Sequence, residues 1–138
     1  MNEPILYHSE APVGNDQAFQ ARLISADGSG AIVGGEGNLV APADVQSISC
    51  TVYDLQLGNA ASTPIATPSI TSSAITLLAN DGLWRSFDPI GRNFLHQISG
   101  TVFAKADHTF RVVYKLTTTG GTNIVFAFEH YAHGVAPR

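Results

Sequence analysis

The sequence predicts an all-β protein, an antiparallel β-sandwich with an extended N-terminal arm, and three observations predict it. Apolar residues recur at every second position in several short runs, the period of a strand with one face buried. Clusters of Gly, Pro, Asn and Asp separate those runs, residues that relieve the steric limits on tight turns. No segment shows the apolar spacing of an amphipathic helix of about ten residues or more.

Residues 1–16 carry Pro4, Pro12 and Gly14 without a sustained period and read as an extended arm. Such an arm is either a frayed terminus or a segment ordered against a neighbouring subunit. From Gln17 the pattern changes: Phe19, Ala21 and Leu23 alternate with Gln20 and Arg22, a half-buried strand. Turn chemistry follows at Asp27-Gly28-Ser29-Gly30, then the short apolar piece Ala31-Ile32-Val33 and a second glycine cluster, Gly34-Gly35-Glu36-Gly37.

Val45 to Leu55 is a strand with Ile48, Cys50 and Val52 on one side and Ser47, Ser49, Thr51 and Tyr53 on the other. Its aliphatic inward set makes Cys50 a small core hydrophobe. Ile65 to Ile70 follows Pro64 and is interrupted by Pro68, and a proline cannot donate to a ladder, so an edge strand or an irregular crossing is expected. Ala74 to Leu78 fits either a strand or a single helical turn ended by Asn80-Asp81-Gly82.

The last third is the most regular. Asn93 to Ile98 reads as a strand after the turn Asp88-Pro89-Ile90-Gly91. Phe110, Val112, Tyr114 and Leu116 alternate with Arg111, Val113 and Lys115, and after Thr118-Thr119-Gly120-Gly121 the run Thr122 to Tyr131 places Ile124, Phe126 and Phe128 on one face. Two alternating runs around a glycine-containing loop predict a β-hairpin. Trp84 is the natural anchor between sheets, and residues 134–138, with Gly and Pro, are expected to be a loose tail unless a partner holds it. About seven or eight strands within residues 17–133 suit a sandwich that is immunoglobulin-like in size, or jelly-roll-like, without the Cys…Trp…Cys spacing of antibody domains.

Composition narrows the function classes. Charged residues make up 13% of the 138, and seven basic against eleven acidic residues give a net charge of -4. Binding to nucleic acid or to an anionic membrane needs a basic excess that this chain lacks. With Cys50 alone there is no intrachain disulfide and no cysteine-rich metal site. The start Met1-Asn2-Glu3-Pro4 is acidic with no apolar run behind it, so no signal peptide is expected, and no stretch is apolar enough to span a bilayer.

Candidate chemistry is sparse. Gly28-x-Gly30-x-x-x-Gly34 departs from the dinucleotide-loop spacing and is followed by a strand where a helix N-terminus would have to supply amides. His130 and His133, with His8, could gather a metal only if the chain turned, since residues three apart on a strand face opposite ways; solvated or interfacial histidines are expected instead. His96 alternates inward with Phe94 and Ile98, which suits a buried imidazole satisfied by a backbone group. Asp81, Asp88 and Asn93 lack the regular alternation of a calcium loop and read as turn formers. No local context selects one serine as a nucleophile. Tyr53, and second Tyr131, are the outward aromatics a sugar-binding face would use. No catalytic, cofactor-binding or metal-binding residue is assigned.

The run Trp84-x-x-x-Asp88-x-x-Gly91-x-Asn93-Phe94-x-His96, followed by Phe110-Arg111-x-x-Tyr114-x-Leu116-Thr117, resembles small β-sandwich proteins of tailed bacteriophages and related bacterial sequences, over about the last 60 residues. The resemblance implies a virion protein made in the host cytoplasm: a capsid decoration (cement) protein or a head–tail or tail accessory subunit. It implies no catalytic residues, with Trp84, Phe94 and Tyr114 in the core and Asp88, Gly91 and Asn93 shaping a turn. Scarce charge points the same way, because charged side chains commonly protect sheet edges, and a domain without them needs neighbours to cover its rims. The expected partners are therefore protein neighbours, a major capsid or tail protein and further copies of the chain, and the expected cofactors are none. A carbohydrate-binding or adhesion module is the alternative, with a small hydrolase third.

Overall fold

A computed structural model of the chain describes residues 5–21, 23, 45–56, 63–79, 92–119, 121 and 123–134. They are mostly β. The strands are β1 (Ile5–Pro12), β2 (Gln17–Ala21), β3 (Val45–Asp54), β4 (Pro64–Ala66), β5 (Ile75–Ala79), β6 (Arg92–Ile98), β7 (His108–Thr118) and β8 (Asn123–His133). Five form one sheet in the order β1-β8-β7-β3-β4, and three form a second in the order β2-β6-β5. Among the described residues no helix is long and apolar enough to cross a membrane.

The period-two runs set the registers. In β3 and β7, Cys50 lies opposite Tyr114 and Val52 opposite Val112, so the two inward sets coincide. The β7–β8 hairpin pairs Tyr114 with Phe126 and Val112 with Phe128, and its turn carries Gly121 at φ 89, a left-handed conformation that suits glycine. Facing sheets meet through rings. Phe94 of β6 lies 4.8 Å from Tyr114 and 5.0 Å from Phe126, and Phe19 of β2 lies 4.9 Å from Phe128. All five of these rings are buried, and each contributes about 1.5–3 kcal/mol by leaving water. Cys50 is buried among them, as its strand phase predicts, while Trp84 lies outside the described residues.

Two ambiguous segments resolve in physical terms. Ala74 to Leu78, expected as a strand or a single helical turn, is a strand over Ile75–Ala79, and a 3-10 turn over Ser72–Ala74, closed by Ala74 N donating to the Thr71 carbonyl, precedes it. The proline-flanked segment is an edge strand of three residues, β4, whose register with β3 shifts between Val52 and Tyr53.

The N-terminal segment departs from the expected arrangement. Residues 5–12 are extended, but they lie along β8 of their own chain, and they run parallel to it. A tight hairpin would force antiparallel pairing. Here β1 is followed by a turn that crosses to the other sheet, so nothing local dictates its direction. That turn is pinned at several points: Val13 N donates to the His133 carbonyl at 2.8 Å, Gly14 N to the Phe103 carbonyl at 3.0 Å, and Gly100 N to Asp16 Oδ1 at 2.7 Å. At the other terminus Gly134 N donates to Asp107 Oδ1, and residues 135–138 lie outside the described set.

Candidate functional site

Three polar groupings are built by this fold. The first is the seam between β1 and β8. Parallel register sets His8 beside Glu129 and Ser9 beside His130. Ser9 Oγ lies 2.8 Å from His130 Nδ1, Glu10 Oε1 lies 2.6 Å from His133 Nε2, and His8 Nδ1 lies 3.9 Å from Glu129 Oε1. The Arg111 guanidinium donates to Glu129 at 2.6 Å, so Tyr53, Arg111, Glu129 and His8 form one row across β3, β7, β8 and β1 on the outer face.

His130 and His133 face opposite ways, as their spacing on a strand requires. His133 is exposed, but His130 is fully buried, which corrects the expectation of a solvated ring. Its inward position continues the phase of Ile124, Phe126 and Phe128, and polarity alone hid it. Phe103 lies 4.6 Å and Phe19 5.7 Å away, ring centre to ring centre, and His130 Nε2 has no hydrogen-bond partner among the described residues. Burial, with a smaller effect of His133, pushes the ring's pKa down to about 4. An imidazole held so reluctant to take a proton is a poor general base, and among the described residues no third group orients it through Nε2. Ser9 and His130 therefore form a contact suited to holding a strand.

The second grouping runs from the core to the surface. His96 Nε2 lies 2.9 Å from the Ser69 carbonyl oxygen, which can only accept, so Nε2 carries the proton. Nδ1 must then accept from the Tyr114 hydroxyl, 2.8 Å away, and that hydroxyl is left to accept from the thiol of Cys50, its hydrogen-bond partner. Burial pushes the Cys50 thiol up to about 11 and raises Tyr114, while burial lowers His96. All three are thus uncharged near neutrality, and each proton has an assigned acceptor. The expected inward His96 satisfied by a backbone group is found, half-buried, beside an open groove of about 390 Å³ lined by Ser69, Thr71, Ser73 and Gln97 among others. Tyr114→Phe should cost about 1–3 kcal/mol in urea denaturation, because it strands the His96 acceptor and the Cys50 donor without changing the packed volume much.

The third grouping is Asp54 with His108. Asp54 is fully buried, and its two oxygens lie 3.0 and 2.8 Å from His108 Nδ1, while Gln56 N donates to Oδ1 at 3.0 Å. Neither residue stands out in the sequence, although both extend the inward phases of their strands.

Tyr53 and Tyr131 share the outer face, separated by β7, and Tyr131 donates its hydroxyl proton to Asp107 at 3.1 Å. Asp81, Asp88 and the glycines Gly28, Gly30 and Gly34 lie outside the described residues, as does Gly91; Asn93 is in β6. Among the described residues no group of three or more His, Cys, Asp or Glu side chains is placed to hold a metal. No protein-family model, no curated protein and no solved structure matches the chain.

Proposed function

We propose that this chain is a non-enzymatic structural subunit of a larger protein assembly, a bacteriophage virion protein of the capsid decoration (cement) or head–tail accessory kind. It would act by contacts with a major capsid or tail protein and with further copies of itself. An immunoglobulin-like sandwich is the form that best suits the strand order. Placing β2-β6-β5 against β8-β7-β3-β4 follows the arrangement in which B, E and D strands face G, F, C and an added C′ strand, with β1 moved to the G edge.

One observation carries the assembly reading: the sheet edge at β4 is uncharged. Thr63, Pro64, Ile65, Ala66, Thr67 and Pro68 include no ionised side chain, and Ile65, 40% exposed, is the one exposed large hydrophobic among the described residues. Edges without Lys or Glu are open to pairing or apolar cover, and multivalent contacts in a fixed shell would supply that cover. Light scattering on purified protein should show a homo-oligomer. Ile65→Lys should shift it toward monomer while changing stability by no more than about 0.5 kcal/mol. A clean monomer at all concentrations would count against the reading. A carbohydrate-binding or adhesion module is the second reading, favoured by Tyr53 and Tyr131 flanking Arg111 on one face, and a glycan array separates the two.

A further inference from the structure

Strand β1 is held to the sheet by an unusual succession of side chains. Its residues 8, 9 and 10 are each engaged in a contact that includes a histidine: His8 with Glu129, Ser9 with His130, and Glu10 with His133. The middle contact differs in kind from the outer two. His8 is 73% exposed at its side chain and His133 47%, whereas His130 is 0% exposed and lies behind Ser9 in a cage of rings.

We propose that β1 is a proton-sensitive latch: it docks on β8 while the caged ring of His130 is neutral, and acidification releases it because a charged ring cannot stay in that cage. The geometry sets the direction. Among the described residues, the side chains set against His130 carry no charge that would balance an added one. From β1 comes the Ser9 hydroxyl; from β2, Phe19; from the 3-10 turn Gly100–Phe103, Phe103; from β7, the register partner Phe110. On its own strand His133 adds a like charge when protonated, and the lowering of His130 reflects both burial and that neighbour. Among the described residues each carboxylate is committed elsewhere: Glu10 to His133, Asp16 to Gly100 N, Glu129 to Arg111 and His8, Asp54 to His108, and Asp107 to Tyr131 and Gly134 N.

Moving β1 off the β8 edge removes Ser9 from Nδ1 and gives water a route to the ring. The undocked ring regains an ordinary histidine pKa, the docked ring does not, and the undocked state therefore binds the proton first. By linkage the docked state loses ground as pH falls from the ordinary value of 6.5 toward about 4, and no further below that. The two outer pairs are exposed, and exposed pairs contribute little to holding the strand. This latch is independent of what the chain assembles with.

Hydrogen exchange, corrected for the intrinsic pH dependence of amide exchange, tests it on the full chain. Between about pH 7.5 and about pH 5, protection of β1 amides should fall by about tenfold to thirtyfold, while amides of the β3–β7 ladder keep theirs. His130→Phe should abolish that fall. Ser9→Ala should lower β1 protection at both pH values and leave the fall in place, which keeps the test open if the phenylalanine variant does not fold. Unchanged β1 protection in the parent chain, an equal loss in β3–β7, persistence of the fall in His130→Phe, or full protection in Ser9→Ala would each overturn the latch.

Discussion

His108→Ala is expected to cost about 3–5 kcal/mol of folding stability, as large an effect as any single side-chain truncation in this chain. Asp54 has no exposed surface, and His108 Nδ1 is the donor within reach of both its oxygens. Removing the ring leaves a buried carboxylate with the Gln56 amide as its remaining partner among the described residues, and an uncompensated charge in a low dielectric is far more costly than a lost surface pair. Adding Asp54→Asn to His108→Ala should recover a large part of the loss, because the double variant buries an amide instead of an anion. Urea midpoints of the parent, the two single variants and the double variant measure that coupling. Additive losses would show that the pair is merely adjacent.

Gly100→Ala should be nearly as damaging, at about 3 kcal/mol or more, for a reason unrelated to glycine's conformational freedom. A Cβ at Gly100 would sit 1.9 Å from the Gly14 carbonyl oxygen and 2.6 Å from the carbonyl carbon of Asn15. Both are backbone atoms of a turn tied to His133, to Phe103 and, through Asp16, to Gly100 itself, so relief requires the turn between β1 and β2 to move as a body. Gly134→Ala is the natural control. Its Cβ would first meet the Asp107 carboxylate at 3.1 Å, a side chain that can yield, and the expected loss is below about 1 kcal/mol. Thermal unfolding of the two variants side by side checks the contrast.

Much of the fold is readable from strand phase. The alternation in β3, β7 and β8 is read from inward sets that are mainly apolar, although Val113, Val125 and the buried Ala127 stand at outward positions. Where an inward position is polar, the reading fails for the same reason. Asp54 extends the series Cys50, Val52; His108 precedes Phe110, Val112; His130 follows Phe126, Phe128. Polarity suggests solvent at each of these positions, and only the continued count of two places them inside. The pairing of Asp54 with His108 spans 54 residues, and that of Ser9 with His130 spans 121, so neither leaves a local trace. The direction of β1 is equally invisible. Ser9 interrupts its apolar face, and a parallel partner at the far end of the chain has no turn to announce it. Of the two readings of Ala74 to Leu78 the strand is the one observed, and the short Ser72–Ala74 turn ahead of it has no apolar period to announce it.

The parallel run of β1 beside β8 has a mechanical consequence. The chain enters the sheet at one pole along Ile5 and leaves at the opposite pole past His133. Tension between those two points therefore pulls the strands lengthwise in opposite senses, loading the rungs between them together in shear instead of peeling them one by one. A domain threaded this way resists stretching along its axis with its whole terminal ladder at once.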